Sequence, residues 1–165
     1  MSYYIIIRGS LGSGKTTISK HLAKQLNTKY IAIDEILDNH NLTEEKEQGY
    51  ISQKSFVKAN EIIAPKILQS LKNEIPVIID GNFYWKSQIE DLINRLNCNH
   101  YIFTLKAPLN ICIERDKKRK NSHGKDAAEA VYNKTAEFDY GILIDATKEI
   151  NECIKEIVSY LSKQK

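Results

Sequence analysis

The stretch "RGSLGSGKTT", residues 8–17, decides how this chain is read. It places Gly9, Gly12 and Gly14 around Ser10, Leu11 and Ser13, then follows them with Lys15, Thr16 and Thr17. Before it stands "YYIII", residues 3–7, a β-branched and aromatic run suited to a strand. After it stands "ISKHLAKQL", with Ile18, Leu22 and Leu26 at helical spacing. Strand, glycine loop and helix succeed one another without a spare residue.

Gly9, Gly14, Lys15 and Thr16 satisfy the spacing G-x-x-x-x-G-K-[ST]. Glycines let the backbone curl into a concave nest whose N–H groups face one anion. The helix that starts near Lys15 turns its positive end to the same point. Lys15 supplies a compact cation for the outer phosphates, and the Thr16 hydroxyl suits Mg²⁺. The expected nucleotide-binding set is Gly9, Ser10, Leu11, Gly12, Ser13, Gly14, Lys15, Thr16 and Thr17.

The 165 residues suffice for one domain, 1–165, with a real core. No apolar run approaches the roughly 18 residues of a membrane span. No basic leader with a cleavage site opens the chain, so no secretory signal is expected. Cys98, Cys112 and Cys153 lie far apart with no C-x-x-C pair, which excludes a disulfide framework or structural zinc. A cytoplasmic protein is expected. The net charge of +3 is too small to announce a nucleic-acid binder, although "RDKKRK", 115–120, concentrates it.

Strands are expected at 3–8, 29–33, 75–80, 99–105 and 140–145, with helices between them. Most are continuous apolar runs, as strands covered on both faces are. The alternation predicts parallel βαβ units and a three-layer α/β/α sandwich. Residues 35–74 read as helical, with Phe56, Ile63, Ile67 and Leu71 on one stripe; Pro65 should kink that helix or start another. The last helix carries Ile150, Ile154, Ile157 and Leu161 on one side.

Ligands of such sheets bind beyond the carboxyl ends of the strands. Asp34 ends "YIAID" and Asp80 ends "PVIID". Asp34 can cap a helix, or it can accept a proton from an attacking hydroxyl. Asp80, an acid at the end of an apolar run, suits Mg²⁺.

"GSLGSGKTT" resembles the "GxPGSGKST" form of the small P-loop kinases, the group of adenylate, gluconate and shikimate kinases and chloramphenicol phosphotransferase, with Leu11 in place of proline. The resemblance runs along nearly the whole chain in order and spacing. It implies a five-stranded parallel sheet of order 2-3-1-4-5, an acceptor-binding helical region at about 35–74 and a small helical lid at about 115–128. It implies Asp34 as the residue facing the terminal phosphate, and Arg115 and Arg119, one turn apart, as lid arginines. The turn at Asp145, Ala146 and Thr147 would border adenine.

"DGNFYWKSQIEDL", 80–92, is similar to the adenylate kinase pattern "DG(F/Y)PRTxxQAxxL" at Asp80, Gly81, Gln88 and Leu92. The family's phosphate-gripping arginine falls on Tyr84, which argues against a nucleoside monophosphate as acceptor. Phe83, Tyr84 and Trp85 either line the acceptor site or pack in the core. No arginine follows Asp34 closely, the shikimate kinase glycine triplet is absent, and "NKTA", 133–136, falls short of the guanine-reading N-K-x-D.

The resemblance implies an ATP- and Mg²⁺-dependent kinase acting on a hydroxyl of a small molecule. A polynucleotide or nucleoside kinase and a non-catalytic ATP-binding module are the alternatives. The basic run lacks the interleaved aromatics of a nucleic-acid platform, and no membrane partner is expected.

Overall fold

The computed structural model describes residues 2–162. From the N-terminus the elements run β1 (Tyr4–Gly9), α1 (Lys15–Leu26), β2 (Lys29–Ala32), α2 (Ile33–Asn39), β3 (Lys46–Glu47), β4 (Tyr50–Ile51) and α3 (Gln53–Lys72). They continue with β5 (Val77–Gly81), α4 (Lys86–Leu96), β6 (His100–Lys106), α5 (Leu109–Lys117), α6 (Lys125–Thr135), β7 (Ile142–Asp145) and α7 (Ile150–Ser162).

β1 is the axis of the molecule. Ile5 and Ile7 point to one face of the sheet, with Ile18 and Leu22 of α1 and Ile154 and Ile157 of α7. Tyr4 and Ile6 point to the other, with Ile63 and Ile67 of α3 and Ile89 and Leu92 of α4. This two-sided burial is why the strand reads as an unbroken apolar run. Each such side chain contributes about 1.5–3 kcal/mol.

The main sheet has five strands in the order β2-β5-β1-β6-β7, all paired in parallel. Counted within this sheet alone, the order is the expected 2-3-1-4-5. Register sets Ile7 beside Asp80, and Arg8 between Gly81 and Thr104. The strand that enters the glycine loop therefore ends level with the acid of β5.

Residues 35–74 depart from the helical reading. The polar stretch there contains an antiparallel hairpin, β3 with β4, turned by Gln48 at φ 54° and Gly49 at φ 84°. A two-residue loop with both φ values positive matches the strand twist. Glu47 then accepts from Gln53 N at 3.0 Å and Gln53 Nε2 at 2.7 Å, holding the hairpin on the start of α3. Pro65 does not start a new helix: α3 runs from Gln53 to Lys72 with the proline inside it. Its ring lies on the exposed side. The cost of about 3 kcal/mol is offset by buried Phe56, Ile63, Ile67 and Leu71 on the other side. β2 ends at Ala32, a residue earlier than expected, and Ile33 opens α2.

Candidate donor and acceptor site

The glycine loop leaves β1 at Gly9 and turns into α1 through Gly14, which stands at φ 90° as the cap residue. A Cβ on Gly14 would meet nothing within 4 Å. On the opposite side of the loop Gly12, at φ 74°, packs directly on the Cys112 carbonyl of α5. One glycine thus opens toward a ligand while another seats the loop on the lid helix. α1 has no acid in its first turn, so nothing there repels an anion.

Three features fit a polyphosphate here. Lys15 is 5% exposed, and its Nζ makes a long 3.4 Å bond to the Ser10 carbonyl. The buried Ser13 Oγ has no hydrogen-bond partner among the described residues. The open side of Gly14 leaves room for the anion. A cavity of about 470 Å³ is bounded by Gly12, Ser13, Gly14, Lys15, Thr16 and Thr17 together with Arg115, Arg119, Ala146 and Thr147. The structure therefore gathers the glycine loop, both lid arginines and the turn after β7 around one space. Gly9 and Ser10 stand behind the loop, and Leu11 faces a second cavity.

That second cavity, about 600 Å³, lies beyond β2 and β5 and is lined by Leu11, Asp34, Asp38, Tyr50, Tyr84 and His123, among others. Asp34 is in the first turn of α2 rather than at a strand end, and the cap position belongs to Ala32. It is therefore not the helix cap. Asp34 is solvent-exposed and lines the cleft. Desolvation of the carboxyl there raises its pKa, Lys15 opposes that rise, and Asp80 and Asp38 add to it. Lys15 and Asp34 thus act on each other electrostatically, one from each cavity.

Asp80 is 4% exposed, and its Oδ2 accepts the Tyr30 phenolic proton at 2.8 Å. Burial, reinforced by this carboxylate, pushes the Tyr30 pKa up. Among the described residues no three ligating side chains gather into a metal cage. Thr16 lines the loop cavity, whereas Asp80 lies in β5, beside the strand that enters the loop, and lines neither cavity.

The aromatic triplet divides between core and cleft. Phe83, Tyr84 and Trp85 are all buried, and only Tyr84 also lines the acceptor cleft. Trp85 Nε1 donates to the Ile51 carbonyl at 2.8 Å, and Ile51 N donates to Tyr84 Oη at 3.2 Å. The triplet therefore ties the hairpin to the sheet.

Two residues, Arg8 and Asp116, escape the sequence reading. Arg8 is fully buried and donates to the carbonyls of Phe83, Phe138 and Thr135 and to Thr104 Oγ1. Burial lowers its pKa to about 10. It fastens the root of α6 to the strand that carries the glycine loop. Asp116, 1% exposed, accepts from Ser122 Oγ at 2.8 Å and His123 N at 3.1 Å. It pins the lid turn and places His123 in the acceptor cleft. Its sign is readable as a lone acid inside a basic run, whereas Arg8 looks like any charge beside a turn. α6 begins at Lys125 with Gly124 as its cap.

Sheet order and glycine loop together define a P-loop fold. A family model described as an AAA domain matches residues 5–138, and the chain belongs to this family. Among solved structures, the chain is similar to a sugar kinase from Janibacter sp. HTCC2649, at TM-score 0.83 and 16% identity over 98% of this chain and 95% of that one. It is also similar to a gluconokinase from Sinorhizobium meliloti 1021, at TM-score 0.76 and 14% identity over 97% and 91% of the two chains. A curated relative, the pentafunctional AROM polypeptide of Schizosaccharomyces pombe, is 53% identical over 36 residues; these are 22% of this chain and only 2% of that protein.

Proposed function

We propose that this protein is an ATP- and Mg²⁺-dependent kinase that phosphorylates a hydroxyl of a small molecule. One observation carries the reading. Lys15 lines the loop cavity and Asp34 lines the second cleft, each close enough for the lysine's charge to act on the carboxylate.

The acceptor hydroxyl oxygen attacks the γ-phosphorus, and the bond from that phosphorus to the β,γ-bridging oxygen breaks. Asp34 takes the hydroxyl proton, leaving ADP and a phosphate monoester. Its raised pKa brings it closer to working pH, which makes it a better base. Loop amides, Lys15, Arg115 and Arg119 stabilise the charge that shifts during transfer. Mg²⁺, held by Thr16 and Asp80, would neutralise the phosphate oxygens.

A small acceptor fits better than a nucleic-acid end. The cleft sets Asp34 and Asp38 against a single lysine, Lys46, whereas a nucleic-acid channel needs a basic lining. The free cysteines suit a reducing cytoplasm. Among the described residues no helix is long and apolar enough to cross a membrane.

The test is phosphoryl transfer from labelled ATP to a panel of alcohols, nucleosides, antibiotics and short oligonucleotides. Asp34→Asn should lower transfer by roughly 10²–10⁴-fold while ATP still binds. Undiminished transfer in that variant would remove Asp34 from the chemistry.

A further inference from the structure

Cationic side chains are sorted between the two cavities. The loop-lined cavity holds Lys15, Arg115, Arg119 and Lys148. Among the described residues lining the acceptor cleft there is no arginine; its carboxylates Asp34 and Asp38 share it with Lys46 and the imidazole of His123, and the charge of Lys15 also reaches Asp34.

Two buried cations stand near the cleft, and both are already engaged. The Arg8 guanidinium donates to four protein oxygens and lies 4.4 Å from the Phe138 ring centroid. Lys134, 3% exposed, pairs with Glu137 at 2.8 Å. Its Nζ also sits 4.0 Å from the Trp85 ring centroid and 5.5 Å from that of Tyr50. Neither lines the cleft. Anionic ligands are gripped best by bidentate arginine forks; the cleft lining has none, and its one lysine, Lys46, stands against two carboxylates, Asp34 and Asp38.

The remaining wall suits an uncharged molecule with one apolar side. Ala127, Ala130 and Val131 of α6 face the cleft with Leu11 and Leu37. Tyr50 is fixed there, because its Oη donates to the Ala130 carbonyl at 3.1 Å. Asn82 Oδ1, a buried atom with no partner among the described residues, belongs to a residue lining the same cleft. A ligand hydroxyl can donate to this oxygen.

We propose that the acceptor is an uncharged hydroxyl compound of sugar to nucleoside size, laid with its apolar side on Val131, Ala130 and Tyr50, and that phosphorylated and carboxylated acceptors are rejected by the carboxylates of α2. This rests on the kinase reading and narrows it. The cleft discriminates by electrostatic repulsion and by the lack of an anion clamp.

The experiment compares matched pairs in the ATP transfer assay: glucose with gluconate, other sugars with their aldonates, and nucleosides with their monophosphates. The uncharged members should be the better substrates, with kcat/KM higher by about tenfold or more. Asp38→Asn should narrow that ratio by about fivefold, the loss of one like-charge repulsion in solvent. Transfer to charged members as good as to uncharged ones, or a ratio that Asp38→Asn leaves unchanged, overturns the acceptor class and leaves the kinase reading standing. No transfer to any member overturns the kinase reading, and this inference with it.

Discussion

Tyr30 holds one oxygen of Asp80: the phenol on β2 donates to Oδ2 at 2.8 Å, across the pairing of β2 with β5. The bond leaves Oδ1 free of Tyr30 at the end of the strand beside the glycine loop. Tyr30→Phe removes the bond and keeps the ring. A single hydrogen bond to a carboxylate is worth about 1.5–3 kcal/mol. Half-saturating Mg²⁺ should therefore rise by roughly tenfold in an Mg²⁺ titration of ATP turnover, and Tm should fall by several degrees because the buried carboxylate loses its donor. An unchanged requirement would place the metal elsewhere.

Gly12 tests the seating of the loop on the lid helix. Its φ of 74° strains any other residue, and a Cβ would drive into the Cys112 carbonyl. Gly12→Ala should cost about 1–3 kcal/mol from the backbone alone and weaken ATP binding as the loop shifts. Gly14→Ala meets no neighbour, so its smaller thermal destabilisation would separate backbone strain from collision.

Arg119 lies 3.9 Å from Asp116, which itself pins the lid turn. Arg119→Met should lower kcat by about 10²-fold, with a smaller effect on ATP affinity, because the missing charge acts during transfer. Asp116→Ala should instead loosen the turn, read as faster proteolysis within 117–124. Equal proteolysis of both variants and the wild type would contradict this division of labour.

Asp34 sets the acid limb of the pH profile. Its folded pKa is raised above the ordinary 3.8 by desolvation, against the pull of Lys15. The base form is needed, so kcat/KM should fall as pH drops through this raised value, earlier than for an unperturbed aspartate. The stability sign is the reverse of a salt-bridged carboxylate. Between the unfolded and folded pKa the native state binds more protons, so stability falls as pH rises through that window. At neutral pH Asp34→Asn should raise Tm while abolishing transfer, and the gain should fade below about pH 4. A lower Tm at neutral pH would contradict the assignment.

What the sequence reveals and what it hides follow from the range of the interactions. The loop is legible because its chemistry is local: glycine, lysine and threonine must follow one another. The sheet is legible because Ile5, Ile6 and Ile7 are buried on both faces of β1. The β3–β4 hairpin is hidden, since Gln48 and Gly49 carry a turn usually marked by Asn-Gly, and its strands are only two residues each. Pro65 misleads because the packing of α3 outweighs a local penalty. Arg8 is invisible because its acceptors lie 75 to 130 residues away in the chain.

The central claim is that the loop from Gly9 to Thr17 grips a nucleotide polyphosphate. Isothermal titration of the protein with ATP and Mg²⁺, beside Lys15→Ala, tests it most directly. Saturable one-to-one binding by the wild type, weakened about 10²-fold or more in the variant, is the expected result. No heat of binding with ATP, or equal affinity in the two proteins, would contradict it.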